Sequence, residues 1–528
     1  MKRIKNIFAL KVSAPIICIS ILLASCTKKY AEINTDRNTV ATIGSAELPF
    51  LFARAEKEAT PSIWNYQIAQ NLFADQYAQY FACTATYFPS DRNVIRMDWV
   101  GAAFNPIYTD VVPQLQSIFE SADPSSAEYA MANVLWVLSF HRVTDYWGPI
   151  PYFQAGIPAS SVPYDPQDKI YDDFFKRLAA AVTVLKTKTG EKPYGDFDLM
   201  YSGDVNKWIK FANTLRLRLA MRISKVDPAR AKAEGEAAYA SGVLTSSPGD
   251  DAYVKRSVTG DDNNGLSIMS DWNEFRMSAT MESVLKGYSD PRMPVYFLPA
   301  VKTGTFEGER NGLTATQLTE DINLHNYNSH AGPRWTNPDV YKGGIATFLA
   351  TPQNVMATAE AYFLRAEGAL LGWNMGGTAK ELYEAGITNS FKQWGITDAT
   401  AIQAYINGTS LPIAPNDYLH SPPLTNIPVK FDASDLTVQK KQIFLQKWLA
   451  MYPDGMEAWA DYRRSRVLPL YPVANSDNPD ITNTNTQWIR RIPFLLSETQ
   501  NNKAAVDAAV PLLGGPDKVT TPLWWDKN

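Results

Sequence analysis

Residues 355–371 read VMATAEAYFLRAEGALL, and residues 379–393 read AKELYEAGITNSFKQ. Both stretches carry apolar side chains at spacings of three and four, the period of one helix face. The seven residues between them, GWNMGGT at 372–378, hold Gly372, Gly376 and Gly377 and so mark a turn. Ala361, Ala366 and Gly368 on the first helix permit close packing, and Ala379, Tyr383 and Ile387 run down the second. The stretch is therefore a helical hairpin. Such units cannot bury their apolar faces alone, so several of them stack into a curved solenoid.

The same period recurs on both sides of this hairpin. It appears in Ile63–Phe81, Trp99–Phe119, Ala127–His141, Ile170–Leu185, Val205–Ile223 and Pro228–Tyr239. Asp204 is a natural N-cap for the fifth of these. Val438–Met451 and Met456–Arg464 form a later pair, joined by Pro453, Asp454 and Gly455. Residues 144–166 and 407–430 read as loop, broken by Pro and Gly. From about 243 to 352 the pattern changes to Gly, Asn, Asp, Pro and aromatics, with one helix expected at about Glu274–Leu285. Long loops inside a compact protein usually carry function. The tail, 465–528, reads as polar loop ending in Trp524 and Trp525. The expected fold is mostly α: a tetratricopeptide-like helical-hairpin scaffold with an irregular, loop-rich ligand-binding lobe.

The N-terminus is an address. Lys2, Arg3, Lys5 and Lys11 precede an apolar run, Val12–Leu23, that falls short of the ~20 residues needed to span a bilayer. Leu23-Ala24-Ser25-Cys26 then looks like a lipobox, with Cys26 as the lipid attachment site. Several acyl chains on one residue make a stable anchor where a single chain binds reversibly. The expected organisation is a lipoprotein signal peptide at 1–25, a lipidated tether at 26–45 and a single domain at 46–528 with its insertion at 243–352. Of the 3 cysteines, Cys18 leaves with the signal and Cys26 is lipidated. Cys83 is left without a disulfide partner and reads as a small buried residue at a helix end.

Composition narrows the function further. With 50 Lys and Arg against 54 Asp and Glu, the formal charge is −4, which gives no drive toward nucleic acid. Only 4 His are present, so a His-rich metal centre is not expected. Aromatics reach 12%, more than packing alone asks for, and suit surfaces that stack on flat ligands.

Motif by motif, the chemistry candidates are weak. GWNMGGT lacks the Lys of a phosphate loop at Thr378. His325 and His330 are five apart, off the spacing of a helical zinc pair, and no further ligand stands near them. GDDNNG at 260–265 has Trp272 where a calcium loop counted from Asp261 needs its Glu, so a turn is expected. No particular acidic pair stands out for glycoside hydrolysis, whose spacing is spatial. Arg216, Arg218 and Arg222 sit on one helix, and the expectation is that they pair with buried carboxylates between helices. No catalytic residue, metal or cofactor is expected. The informative set is aromatic, with Arg and Asn beside it, in loops: Tyr87, Phe88, Arg92 and Asn93; Trp272, Asn273, Phe275 and Arg276; Tyr327, Arg334 and Trp335. Aromatic faces stack on sugar C–H faces or peptide side chains, while Asn and Arg bond hydroxyls or carbonyls.

Several stretches, in order along nearly the whole chain, resemble the SusD/RagB family of outer-membrane lipoproteins. They are Cys26 in its lipobox, DYWGPIPY at 145–152, Lys207-Trp208 through Ala220-Met221-Arg222, and AEAY at 359–362 with Ala366-Glu367. They continue with Gln446-Lys447-Trp448, Tyr452–Gly455 with Ala458-Trp459, Tyr462-Arg463-Arg464, Arg490–Pro493 and Leu523–Asp526. The resemblance is to the SusD-like branch. It implies four tetratricopeptide-like hairpins and a non-enzymatic role: a cell-surface binding lipoprotein that captures oligosaccharides and acts as a lid on a SusC-type TonB-dependent transporter. It also implies that the motif residues pack hairpins together and that ligand residues vary with the ligand. The basic run Thr27-Lys28-Lys29 after Cys26 departs from the acidic start common in surface-exported lipoproteins. A peptide-capturing relative with the same lid mechanism, a surface glycoside hydrolase and a purely structural lipoprotein stay open as alternatives.

Overall fold

The computed structural model describes residues 43–63, 65–159, 161–337 and 348–527. Leu48–Asn528 make one compact unit. The signal peptide, Cys26 and most of the tether lie outside the described residues.

The first elements are α1 (Leu48–Glu58), a π-helical turn at Gln67–Asp75, β1 (Phe81–Cys83) and α2 (Val112–Ser121). Then come α3 (Ala127–Trp147), α4 (Gln167–Leu185), α5 (Val205–Arg222), α6 (Pro228–Ser241), β2 (Ala252–Val254) and α7 (Gly265–Ser270). β3 (Phe275–Met277), α8 (Ala279–Gly287), α9 (Met293–Tyr296), β4 (Phe297–Leu298), β5 (His330–Ala331) and β6 (Gln353–Met356) follow. The last are α10 (Thr358–Leu370), α11 (Ala379–Gln393), α12 (Ala399–Ile406), α13 (Leu436–Met451), α14 (Gly455–Ser465), α15 (Leu496–Asn501) and α16 (Lys503–Ala509).

Among the described residues, four helical hairpins build the scaffold: α3 with α4, α5 with α6, α10 with α11, and α13 with α14. α4 packs on α5, and α10 packs on both α5 and α13, which stacks the hairpins. Local chemistry starts each one. Asp204 accepts from the N–H groups of Asn206 and Lys207 as the expected N-cap of α5. Thr378 and Glu381 form a reciprocal capping box at the start of α11. Small residues set the spacing, since a Cβ on Gly386 would come within 2.8 Å of the Phe363 ring.

Buried ion pairs lock the stack. Arg218 of α5 holds Glu360 of α10 with two bonds of 2.6 and 2.7 Å. Arg222 of α5 reaches Glu457 of α14 at 2.6 Å and Asp145 of α3 at 3.3 Å. Arg464 of α14 grips Glu367 of α10 at 2.6 and 2.8 Å, and Lys447 bonds Asp461 at 2.8 Å. Arg218 and Arg222 pair with buried carboxylates as expected, while Arg216 meets the half-buried Glu234 of α6 at 2.6 Å. Arg463 differs: it donates to the carbonyls of Asp145 and Arg490 and lies 3.4 Å over the Trp459 ring. Burial pushes its guanidinium down to about 9.

The sequence reading misplaces several boundaries. α3 continues through Trp147 because Asp145, Tyr146 and Trp147 are all buried, and it ends where Gly148 takes φ +89°. Asp145 Oδ1 accepts from Tyr171 and from the Trp525 indole, so the DYWGP stretch is packing. The helix expected from Glu274 starts at Ala279, because Phe275–Met277 pair with β1 instead. The helix expected from Val355 starts at Thr358, because Gln353–Met356 pair with β2. Cys83 is buried in β1 and not at a helix end. The tail is not free loop: it forms α15 and α16, buries Trp525, and donates from Ile492 N–H to the Tyr146 carbonyl at 2.8 Å. The loop-rich lobe is held among its described residues by three short antiparallel pairs: β1–β3, β2–β6 and β4–β5.

Candidate ligand-binding site

The lobe's aromatic face starts from the β1–β3 ladder, in which Ala82 faces Arg276 and Cys83 faces Phe275. Beyond the ladder, Thr84 donates its N–H to the Glu274 carbonyl at 3.0 Å and its hydroxyl to the Asn273 carbonyl at 2.9 Å. These bonds bring the Tyr87 loop over the Glu274 carboxylate. One oxygen of Glu274 accepts from the Tyr87 hydroxyl and the other from the Gln67 amide, both at 2.5 Å. Partial burial and the neighbouring Glu274 carboxylate push the Tyr87 phenol up to about 12, so it stays a neutral donor.

Tyr87 is 66% exposed and Trp272 is 40% exposed, unusual for side chains of this size. Tyr87 packs edge-on against Phe88 at 4.6 Å, Phe88 packs against Trp99 at 5.5 Å, and Arg96 lies 4.6 Å over Trp99. The arrangement is a solvent-facing aromatic surface with one carboxylate set among its rings. It offers flat apolar faces with hydrogen-bonding groups at their edges, which suits a ligand with C–H faces and hydroxyls.

The other expected residues divide into supports and a second region. Phe275 is buried edge-on against Phe81. Arg276 is buried and donates to the His325 carbonyl at 2.7 Å and to Asn273 Oδ1 at 2.6 Å, so it shapes the surface from beneath. Asn273 sits at φ +60°, a conformation Asn tolerates better than most. Arg92 bonds Asp477 at 2.6 Å, and the buried Asn93 gives its carbonyl to Asn478, so both tie this loop to the tail. Tyr327 is half-buried in a turn closed by its N–H to the Leu324 carbonyl. Arg334 and Trp335 are elsewhere. They wall a cavity of about 350 Å³ together with Tyr66, Tyr253, Leu266 and Trp394. The Arg334 guanidinium lies 4.1 Å over Trp394, and Trp335 is only 4% exposed, where the loop reading expects an open ring. The short helix α7 separates the two regions, with Leu266 at the cavity and Trp272 just past its other end.

Glu274, Gln67, Trp99 and Trp394 are missed by the sequence reading. Glu274 had a signal, since it stands between Asn273 and Phe275. Gln67 and Trp99 sit in stretches that read as helix, and Trp394 directly follows one. Other candidates dissolve on inspection. Asp262 pairs with Arg256, and Asn264 caps α7, so GDDNNG is a turn and a cap. His330 is buried in β5 while His325 is exposed. Among the described residues no cluster of three metal-ligating side chains occurs, and no helix is long and apolar enough to cross a membrane.

Residues 29–526 match the model of the SusD-like family, described as SusD and RagB outer-membrane lipoproteins. The chain belongs to the SusD/RagB family. Solved SusD homologues share its fold. One is a chitin-binding SusD homologue from Flavobacterium johnsoniae, 34% identical, with a TM-score of 0.81 over 91% of this chain and 99% of that one. Another is a SusD-like protein from Bacteroides thetaiotaomicron, 33% identical, with a TM-score of 0.80 over 91% and 99%. A third, a SusD homologue from Bacteroides vulgatus, is 30% identical with a TM-score of 0.80 over 91% and 98%. No match was found among curated proteins. SusD-family membership gives the motif residues their context: in this chain Trp147, Arg222, Trp448, Trp459 and Arg464 are all buried.

Proposed function

We propose that this SusD-family chain is a glycan-capturing lipoprotein of the outer membrane, anchored through lipid on Cys26 and facing the cell exterior. The ligand is a neutral oligosaccharide laid across the Tyr87–Trp272 surface. The two rings stack on sugar faces, and the Glu274 carboxylate with its Gln67 neighbour bonds ring hydroxyls. No bond of the ligand is broken. The chain concentrates the ligand and, as a lid, delivers it to a SusC-type TonB-dependent transporter that carries out passage.

The observation that carries this reading is the exposure of Tyr87 and Trp272 on one hydrogen-bonded frame, in a chain 34% identical to a chitin-binding SusD homologue. Calorimetric titration of the chain lacking Cys26, against neutral oligosaccharides and against a mixed peptide digest, tests it. Saturable glycan binding without product release supports it. Binding to peptides alone moves the protein to the peptide-capturing branch, and product release that one carboxylate change abolishes makes it a hydrolase.

A further inference from the structure

The cavity of about 350 Å³ beside Arg334 and Trp335 has no part in the Tyr87–Trp272 surface. Its walls are largely apolar. Pro248, Leu266, Pro352 and Pro453 line it, and Tyr66, Trp335 and Trp394 add rings. Two of its polar wall residues are already engaged. The Tyr66 hydroxyl donates to Asp75 at 2.7 Å. Asn264 donates to the Thr351 carbonyl at 2.9 Å and accepts from the Ser267 N–H at 3.1 Å.

Arg334 is the one charged side chain among the described residues of the wall. Three other wall residues place its guanidinium. It lies 4.1 Å over the Trp394 ring, donates from Nη2 to the Gln393 carbonyl at 3.0 Å, and stands beside the Tyr253 phenol. A guanidinium has five N–H donors, and the Gln393 carbonyl takes one. Nε and Nη1 have no acceptor among the described residues, and neither atom is closed off from solvent. In the scaffold, Arg218, Arg222 and Arg464 each end on a carboxylate, and Arg334 meets none among the described residues. A charge at an apolar cavity is costly without a counter-ion, and a ring beneath it offsets only part of that cost. The group that completes this wall is an anion.

Tyr253 adds a neutral donor beside the charge. Burial and Asp251 raise its phenol, Gln393 and Arg334 draw it back, and it stands at about 12, so the hydroxyl keeps its proton. Shape sets the rest of the ligand. An apolar cavity of about 150 Å³ holds benzene, so this larger one holds a six-membered ring with a substituent. A carboxylate is the anion that a guanidinium meets with two parallel bonds, and flat faces suit walls of Trp and Tyr.

We propose that this cavity is a second ligand site, which takes a six-membered ring bearing a carboxylate. Arg334 and Tyr253 hold the acid group, and Tyr66, Leu266 and Trp335 enclose the ring. The site goes beyond glycan capture on the Tyr87–Trp272 surface and does not depend on it.

A hexuronic acid and an aromatic acid share this chemistry, and the test tells them apart. The chain lacking Cys26 is titrated with glucuronate against glucose, and with benzoate against benzamide. Calorimetry reads affinity, with Trp fluorescence as a second signal from Trp335 and Trp394. At least one acid should bind saturably and about tenfold tighter than its neutral partner. The pair that shows the preference names the body of the ligand. Arg334→Gln should abolish the preference at an unchanged unfolding midpoint. Arg334→Lys keeps the charge without the fork and should weaken acid binding about threefold. No preference for either acid overturns the proposal, as does a preference that survives in a folded Arg334→Gln chain. Should Arg334→Gln fail to fold, the Lys chain decides: the threefold loss supports the site, and wild-type affinity overturns it.

Discussion

Arg464 and Trp272 stand for two regions built on opposite terms. In the scaffold, Arg464 is 2% exposed, and its guanidinium ends on Glu367 and Asp461. In the lobe, Trp272 leaves 40% of its surface to solvent. The scaffold pairs its charged groups across helices, and the lobe leaves two aromatic faces to solvent. A family-like motif is therefore a poor guide to the ligand site, because the residues that form it are already engaged.

The largest expected effect falls on the scaffold. Arg464→Ala takes from Glu367 its close partner in the core and leaves Asp461 to Lys447 alone, and removing one partner of a buried pair costs roughly 3–5 kcal/mol. Urea unfolding should show that loss, while Trp272→Ala stays within about 1 kcal/mol of wild type. A small loss for Arg464→Ala would break the contrast.

Acid should find the same weakness. Burial alone would raise the Asp461 carboxyl, but Lys447 and Arg464 beside it hold it down to about 2. Its unfolded value is about 3.9, so the folded state binds fewer protons between the two. Stability from this pair is whole above about pH 4 and is lost as pH falls toward 2, by about 2 kcal/mol. Unfolding midpoints measured from pH 5 to pH 2 should fall less steeply in Asp461→Asn, set against its own lower starting stability.

The third effect belongs to the lobe. Trp272→Ala and Tyr87→Ala should each weaken oligosaccharide binding about tenfold, near 1.4 kcal/mol, without moving the unfolding midpoint. Titration calorimetry beside thermal unfolding reads both. Loss of stability with unchanged affinity would make these rings packing residues. The smallest effect should come from Glu274→Gln, which keeps an acceptor for Tyr87 and lowers affinity only about threefold, as the same calorimetry would show.

How much of this was readable in the sequence follows from what each region repeats. The α5, α10, α11, α13 and α14 helices were legible because their apolar spacing repeats and their caps, Asp204 and Thr378 among them, are local. The strands Phe275–Met277 and Gln353–Met356 were not, because only distant partners make them strands. α12 and α15 were missed as short helices set among loops. In the site, Tyr87 and Trp272 were legible as aromatics in loops. Trp335 was read from the same signal, yet its ring is buried against Trp394 and Tyr452. Loop membership does not distinguish a ring that faces solvent from one that faces a cavity.

The account turns on the Tyr87–Trp272 surface, and one titration tests it most directly. Wild type and the Tyr87→Ala/Trp272→Ala chain would be titrated side by side with a panel of neutral oligosaccharides. The account predicts saturable binding to wild type, weakened by about a hundredfold in the variant, with both chains unfolding at the same midpoint. Equal affinity in the two folded chains would contradict it and move the ligand to another part of the molecule.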